Sequence, residues 1–354
     1  MDLTYRAATV HLSEPFTISR STSVDEEVVQ VEIDHEGTSG FGEAQPQDVY
    51  GETPDSAAAF LDEAADLIGD DPFALEAIDA RLKERPGEHA AKAAVDAALH
   101  DLCGKLLGAP VWRLLGLERD GPPTSWTIWL GDPDDMARRA EGVGSRFRRL
   151  KLKLGGADGL DVERVRAVRS VTDLPLQVDV NEYWSLEEAL ENIPELARLG
   201  VEYVEQPLRA GDSGGAQLKE QSPLPIYVDE DVHVLEDVAK VAERAHGVNI
   251  KLAKSGGIRE AVRMTHAARA LGLGVMLGCM IESSLGIAAA CQIASLCDHV
   301  DLDGNLLLAD DPWQGVEFRD GFQLPSDAPG LGVLPRVPGT PLAKEASERA
   351  RDST

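Results

Sequence analysis

The distribution of hydrophobic residues changes near residue 124. From there on, short apolar runs alternate with helix-like stretches, and each unit spans roughly 22–28 residues. Such alternation indicates βαβ units and a parallel sheet. Even spacing over seven or eight units favours a closed (β/α)8-type barrel over an open doubly wound sheet. The strand-like runs are RLKLKLG, LPLQVDVN, VEYVEQP, LPIYVDED, GVNIKLAK, LGVMLGCM and HVDLDG.

The first part of the chain has a different pattern. Residues 1–50 alternate between polar and apolar positions and contain glycine turns, which predicts antiparallel strands. Residues 54–69 and 88–107 have the apolar spacing of helices, with glycine at or just past their ends. The N-terminal part is therefore predicted to be a small α+β module. No nucleotide-binding glycine motif opens any of the later helices, which counts against a nucleotide-binding fold.

Ionisable residues stand where the apolar runs end. In a barrel, the carboxyl ends of the strands meet at one mouth, so these side chains are expected to converge there. Residues two apart on a strand point the same way, which places Lys151 beside Lys153 and Asp301 beside Asp303. The residues at the run ends are Lys151, Lys153, Asp179, Glu205, Asp229, Lys251, Asp301 and Asp303.

Three of these acids predict a metal site. Asp179, Glu205 and Asp229 end successive runs and offer only oxygen ligands, which suits one Mg²⁺, or Mn²⁺ as a substitute. Acids at strand ends also serve as turn or cap residues. Three in register favour the metal.

The lysines predict the chemistry. Only 10 of the 354 residues are lysine, yet Lys151 and Lys153 stand together. A free lysine has a pKa of about 10.4, and a neighbouring ammonium, a divalent cation and partial burial all favour its neutral form. Lys153 is thus a candidate general base supported by Lys151, and Lys251 is expected on the opposite wall. An α-proton could leave toward one lysine and return from the other, through an enediolate.

Composition excludes several other functions. A net charge of −28 argues against nucleic acid or an anionic membrane as the main partner. No apolar run is long enough to span a membrane, and the N-terminus lacks a signal-peptide pattern, so a cytoplasmic protein is expected. The four cysteines show no paired framework. Scattered acids with little lysine resemble proteins of salt-loving organisms.

Motifs along nearly the whole chain resemble the enolase superfamily, in its muconate-lactonizing-enzyme subgroup, and most closely its dipeptide epimerases, including the L-Ala-D/L-Glu type. The matching stretches are GFGEA (40–44), AAVDAALHDLCGKLLGAPVWRLLG (93–116), KLK, DVNEYW, VEQP, VDED, NIKLAKSGG, GCMIESS (278–284) and DLDG (301–304). This resemblance implies an α/β fold, a modified TIM barrel of (β/α)7β type with an N-terminal α+β capping domain. The expected divisions are 1–115 for the capping domain, 116–325 for the barrel, and 326–354 for a segment that returns to the capping domain and ends in a polar tail.

The resemblance also implies residue roles. Lys153 and Lys251 become opposing acid/base residues, and Asp179, Glu205 and Asp229 become the metal ligands. In dipeptide epimerases the DxD of the last strand receives the substrate ammonium. The implied substrate-binding residues here are Asp301, Asp303, Arg20, Thr127 and Cys279.

Three positions bear on the substrate rather than on the chemistry. Arg20 lies in FTISRSTS, which resembles the capping loop, where an arginine meets a side-chain carboxylate in alanyl-glutamate epimerases. Two residues depart from the family pattern: Asp231 replaces a common serine, and Trp129 replaces a smaller residue. The identity of the dipeptide is therefore left open, and a homo-oligomer is expected.

Two alternatives are retained. An o-succinylbenzoate synthase or a muconate cycloisomerase-like lyase would use the same lysines and metal, but its substrate carries no ammonium for DLDG. A non-catalytic binding barrel would be expected to have lost part of the constellation, whereas all five core positions are intact.

The excess of acidic residues predicts that stability depends on salt. We expect the melting temperature to fall on dialysis from molar to low salt, because unscreened carboxylates repel one another in the compact state. Thermal melts followed by circular dichroism across a salt series measure this. A melting temperature that stays flat across the series would remove the halophilic interpretation.

Overall fold

The computed structural model describes residues 1–336. Its N-terminal part is a three-stranded antiparallel sheet covered by helices. The strands are β1 (Asp2–Thr17), β2 (Thr22–His35) and β3 (Thr38–Ala44). The helices are α1 (Pro54–Leu67), α2 (Leu75–Lys83), α3 (His89–Leu107) and α4 (Val111–Leu114). Helix α2 lay outside the predicted helices, because it buries only Ile78 and Leu82 and so carries a weak apolar signal.

The rest of the described chain forms an eight-stranded parallel barrel. The strands are β4 (Trp126–Ile128), β5 (Leu150–Lys153), β6 (Leu176–Asp179), β7 (Val201–Glu205), β8 (Ile226–Val228), β9 (Gly247–Lys251), β10 (Gly274–Gly278) and β11 (His299–Asp301). The helices between them are α5 (Pro133–Val143), α6 (Asp161–Arg169), α7 (Leu186–Arg198), α8 (Gly215–Gln221), α9 (Leu235–Val241), α10 (Leu252–Ser255), α11 (Ile258–Ala270) and α12 (Ser284–Cys291).

The strands follow chain order round the barrel, and the ring closes between its last and first strands. Thr124 forms a parallel bridge with Val300, and the amide of Ser125 donates to the Val300 carbonyl at 3.0 Å. Each of the seven connections between consecutive barrel strands contains a helix. β11 closes the ring directly against the segment that leads into β4. The predicted α/β fold, a (β/α)7β barrel with an N-terminal α+β domain, is confirmed.

Alternation along each strand decides what faces the barrel interior. On β5, Leu150 and Leu152 pack in the apolar layer with residues of the surrounding helices, so Lys151 and Lys153 point inward. Lower in the barrel, Tyr203 packs on Tyr227 with ring centroids 4.8 Å apart. These aromatic rings fill the interior beneath the strand ends. The interior beneath the strand ends is therefore packed, and the site lies above it at the mouth.

The capping domain reaches the barrel mouth through the tip of the β1–β2 hairpin. Residues 18–21 form its turn, in which the amide of Ile18 donates to Ser21 O at 2.9 Å. Beside the turn, the Leu130 amide donates to Thr17 O at 2.9 Å, and Phe16 packs on Trp129. The tip is thus anchored to the loop that follows the first barrel strand.

The last described residues lie against the capping domain and its linker. The amide of Val111 donates to Gly330 O at 3.0 Å, and the amide of Leu331 donates to the buried carboxylate of Asp101 at 2.7 Å. A short antiparallel pair joins β12 (Trp313–Gln314) to β15 (Leu334–Pro335), and a second joins β13 (Glu317–Arg319) to β14 (Phe322–Leu324).

The domain boundaries remain predictions, and the predicted polar tail, 338–354, lies outside the described residues. Among the helices of residues 1–336, none combines the length and the hydrophobicity that spanning a bilayer requires.

Close packing of β3 on α3 generates a stability prediction. A Cβ at Gly42 would overlap the carbonyl of Ala94, a backbone atom that cannot move without shifting the helix. We expect Gly42→Ala to destabilise the fold by about 1–3 kcal/mol, measured by urea denaturation. Gly142→Ala is the matched control, because Gly142 lies in α5 with open space around its Cβ position and should leave stability unchanged or slightly raised. Equal effects of the two changes would contradict the packing argument.

Candidate active site

Ionisable side chains occupy the carboxyl ends of six barrel strands. Adjacent strands bring them into register: Lys153 pairs with Asp179 across β5 and β6, and Asp179 pairs with Glu205 across β6 and β7. Asp229 directly follows β8. The strand-end set is completed by Lys251 on β9 and Asp301 on β11.

The three predicted metal ligands are buried and paired with lysines. Asp179 and Glu205 are fully buried and Asp229 is 1% exposed. Lys151 Nζ lies 2.8 Å from Glu205 and 3.2 Å from Asp179. Lys153 Nζ lies 2.6 Å from Asp179. Each carboxylate thus has an ammonium neighbour, which buried charges require.

The pKa values of the acids diverge because their neighbours differ. Burial alone would raise the pKa of Asp179, but the charges of Lys153 and Lys151 outweigh it, and the pKa is lowered. The pKa of Asp229 is lowered in the same way, since Lys251 and Lys254 outweigh burial. Burial and the nearby charge of Asp179 instead raise the pKa of Glu205 to about 7.

The donor set suits a hard divalent cation. The carboxylates of Asp179, Glu205 and Asp229 come from neighbouring strands and supply oxygen ligands without histidine or cysteine. Glu205 Oε2 is buried near Lys151 yet accepts no hydrogen bond of good geometry, so it retains acceptor capacity. Within residues 1–336 no three histidine, cysteine or acidic side chains lie close enough together to hold a metal ion, and each of the three carboxylates is paired with a lysine. By charge and ligand chemistry, the three acids nevertheless suit a divalent cation.

One cavity at the mouth collects the remaining predicted residues. Its lining includes Lys151, Lys153, Lys251, Asp301, Asp303, Arg20, Thr127 and Cys279. The three predicted metal ligands are not among its lining residues, and they meet it through the lysines they pair with.

Lys153 and Lys251 face this cavity from opposite walls. Three strands separate β5 from β9 in either direction round the closed barrel, so the two lysines are diametrically placed. Lys251 Nζ lies 2.8 Å from Asp229 Oδ2, and this carboxylate outweighs burial and raises the lysine's pKa. Gly278 lies in register with Lys251, and a Cβ there would lie 3.1 Å from Lys251 Cε. The glycine leaves room for the lysine side chain.

The carboxylates of the DLDG motif have different partners. Asp301 Oδ2 accepts from Lys151 Nζ at 2.8 Å, whereas Asp301 Oδ1 is buried and accepts no hydrogen bond. Asp303 Oδ2 accepts from the Thr127 amide at 2.7 Å. Burial and the charge of Asp301 raise the pKa of Asp303 to about 7. The unused oxygen of Asp301 is an acceptor for a cationic or hydrogen-bonding group in the cavity.

Of the three residues expected to bear on the substrate, Arg20 lines the cavity, whereas Trp129 and Asp231 do not. Arg20, at the hairpin tip, pairs with Glu230 at 3.0 Å and with Glu182 at 3.4 Å. Trp129 is 9% exposed and packs on Phe16 rather than lining the cavity. Asp231 lies outside the cavity lining and accepts from the amide of Gly211 at 2.9 Å.

Sequence reasoning did not assign several residues that support the site. Lys254 is buried and donates to the carbonyls of Asp229 at 2.5 Å and Val232 at 3.0 Å, as well as to the Asp229 carboxylate. Asn249 Nδ2 donates to Glu205 Oε1 at 2.7 Å. Asn249 could have been found, because it stands two residues before Lys251 on the same face of β9. Lys254 lies in α10, so strand periodicity gave no signal for it.

A capped (β/α)7β barrel that gathers lysines and carboxylates at its carboxyl mouth defines the class of this protein. Two family models match the chain: the N-terminal domain of mandelate racemase and muconate lactonizing enzyme over residues 1–116, and the enolase C-terminal domain-like model over residues 135–337. The chain belongs to the enolase superfamily, in its mandelate racemase/muconate lactonizing enzyme branch.

Proteins similar to this chain include dipeptide epimerases and a muconate lactonizing enzyme. The chain is 42% identical over 341 residues to an L-Ala-D/L-Glu epimerase of Bacteroides thetaiotaomicron, covering 94% of this chain and 88% of that protein. A dipeptide epimerase of Enterococcus faecalis, solved with Mg and the dipeptide L-Leu-L-Tyr, superposes with a TM-score of 0.90 at 32% identity and covers 94% and 98% of the two chains. A muconate lactonizing enzyme of Pseudomonas fluorescens, bound to muconolactone, superposes with a TM-score of 0.89 at 30% identity over 95% and 96%.

The contacts of Lys254 generate a stability prediction. Lys254→Met would leave the Val232 carbonyl and Oδ1 of Asp229 without their donor, while the Asp229 carbonyl keeps the Val232 amide at 3.1 Å. We expect a loss of about 3–5 kcal/mol in the free energy of unfolding, measured by urea denaturation, because breaking a buried pair strands its partner. Lys240→Met is the control, since Lys240 is largely exposed and its solvent-screened pair with Asp237 should contribute little to stability. Indistinguishable midpoints for the two variants would show that Lys254 is dispensable.

Proposed function

We propose that this protein is a Mg²⁺-dependent dipeptide epimerase that inverts the α-carbon of the C-terminal residue of its substrate. The observation that carries the proposal is the placement of Lys153 and Lys251 on opposite walls of one cavity. Inversion requires proton removal on one face of the carbon and return on the other, and opposed amines suit that task. The enzyme is thus an isomerase of the racemase and epimerase kind.

The DLDG carboxylates support a dipeptide as the substrate. Asp301 Oδ1 lies buried in the cavity lining without a hydrogen-bond donor, so a substrate ammonium would satisfy it. Asp303 lines the same cavity and offers a second carboxyl group to the ammonium. Binding the N-terminal ammonium there fixes the register of the substrate, and the α-carbon of its second residue is then presented to the two lysines.

Asp179, Glu205 and Asp229 would hold the Mg²⁺, and Mn²⁺ could replace it. Bound there, the ion would polarise the substrate carboxylate and lower the energy of the negative charge that develops on it. Lys151, beside Glu205 and Asp301, contributes further positive charge to the enediolate left by proton removal. One of Lys153 and Lys251 takes the α-proton as base, and the other delivers a proton to the opposite face.

Two reaction classes could use this site, and they differ in whether the substrate carries an ammonium group. A lyase such as o-succinylbenzoate synthase or a muconate cycloisomerase would use the same lysines without an ammonium-binding group. Asp301 favours the epimerase because its free oxygen would serve no group of such a substrate.

We further propose that the protein is cytoplasmic and assembles as a homo-oligomer.

Single-lysine variants test the proposal. We expect Lys153→Ala and Lys251→Ala each to lower epimerisation by roughly 10²- to 10⁴-fold, because each removes one of two acid/base groups. NMR in D₂O with each epimer should show epimerisation lost while α-proton exchange persists from the epimer that the remaining lysine deprotonates. Mn²⁺ binding, followed by electron paramagnetic resonance, should persist in both variants.

Two results would reject the proposal or redirect it. Epimerisation surviving both substitutions would end the two-base mechanism, and loss of water or ring closure would indicate the lyase. Lys240→Ala serves as the control because Lys240 is exposed on α9, away from the cavity.

Arg20 leads to a prediction about the second residue of the substrate. If it meets a side-chain carboxylate, kcat/KM should be higher for Ala-Glu than for Ala-Leu, and Arg20→Met should reduce that preference. Kinetics on the two dipeptides, with wild type and variant, measure this. Equal preference, or preference for Ala-Leu, would remove the role.

A further inference from the structure

A chain of hydrogen bonds joins the hairpin tip to Lys153. Lys153 Nζ donates to Asn181 Oδ1 at 3.2 Å, in addition to its pair with Asp179. Asn181 Nδ2 donates to Glu230 Oε1 at 3.3 Å, and the same oxygen accepts from Arg20 Nη2 at 3.0 Å. Four residues from the capping domain and the barrel mouth thus form one continuous path.

Because Glu230 is buried, its position is coupled to that of Arg20. Glu230 is 7% exposed, its Oε2 atom accepts no hydrogen bond, and Arg20 is the cation that donates to Oε1. A buried carboxylate is held where its hydrogen-bonding cation stands, because separating the two is costly. The position of Glu230, and through it the amide of Asn181, therefore depends on where the hairpin tip carries Arg20.

The backbone at Asn181 is strained in a way that serves this contact. Asn181 and Glu182 have φ values of 46° and 68°, a left-handed conformation that side chains other than glycine adopt at a cost. Hydrogen bonds from the Asn181 amide to Asp179 at 3.0 Å and from the Glu182 amide to Gln206 O at 2.9 Å hold it. In this conformation the Asn181 side-chain amide reaches both Lys153 and Glu230.

We propose that Arg20, Glu230 and Asn181 form a relay that positions Lys153 when the hairpin tip covers the cavity. The inference rests on the proposed function and extends it, since it assigns Arg20 a role that does not depend on the substrate's side chain. Asn181 suits the last step because a neutral amide oxygen orients the amine without adding a charge. The three are positioning residues, and the tip that closes the cavity also sets the geometry of the base.

The relay predicts an effect on only one of the two proton transfers. Asn181→Gly keeps the left-handed backbone but removes the side-chain amide, and Arg20→Met removes the first donor. At saturating dipeptide, each should lower α-proton exchange by roughly 10- to 100-fold for the epimer whose exchange Lys153→Ala abolishes. Exchange from the other epimer should stay within about twofold of wild type.

Matched variants show whether the loss follows the hydrogen-bond path. Glu182→Gln alters the second partner of Arg20, which lies outside the path to Lys153, and should leave the ratio of the two exchange rates unchanged. Arg20→Lys should restore part of the asymmetric loss. Mn²⁺ affinity, read by electron paramagnetic resonance, should not change in any of these variants.

The outcomes are distinct. Equal loss for both epimers, or a loss that follows Mn²⁺ affinity, would overturn the relay while leaving the epimerase intact. Wild-type protein that exchanges no dipeptide would overturn the proposed function, and the relay with it.

Discussion

The pairing of buried opposite charges is the constraint on which the centre of this molecule depends. Asp179, Glu205 and Asp229 are removed from water at the ends of adjacent strands, where an isolated carboxylate would be costly. The barrel meets that cost with lysines from its other strands and from α10, and these amines pair with the acids at 2.6–3.2 Å, apart from the still closer Lys254. The arrangement that stabilises the fold is thereby also one that presents amines and carboxylates to a single cavity.

The site is a joint product of two domains. The capping domain supplies Arg20 and Phe16 at the hairpin tip, while the barrel supplies the lysines and acids. Polar contacts also secure the domains to each other away from the tip: the buried Glu43 on β3 accepts from the Ser283 amide at 2.8 Å, and Asp96 on α3 accepts from the Ile258 amide at 2.6 Å. Both carboxylates lie at helix N-termini, where free amides and the helix dipole favour negative charge. These anchors hold the domains together, and the hairpin tip is left to complete the cavity.

The two parts of the cavity are built differently by the fold. The layer of lysines and acids comes from strand ends, whose spacing follows from barrel geometry, so members of the family can share it while acting on different molecules. The rim comes from the hairpin and from loops, where side chains can change without disturbing the strands. Similar TM-scores to a dipeptide epimerase and to a muconate lactonizing enzyme accordingly reflect the shared barrel.

The sequence by itself determined the barrel, seven of its eight strands and the shared face of strand residues two apart, whereas the short strand β4 was not among the predicted runs. Period-two alternation in segments such as Leu150 to Lys153 is a local property, legible without knowing what the strand packs against. The strand-end acids and lysines could be identified for the same reason. Only the tertiary structure decided which groups pair. Lys254 meets Asp229, and Arg20 meets Glu230, across 25 and 210 residues respectively, and such contacts exist only once the ring has closed and the capping domain has docked. Local patterns cannot encode them, because partner choice over long separations depends on three-dimensional distance rather than on spacing along the chain.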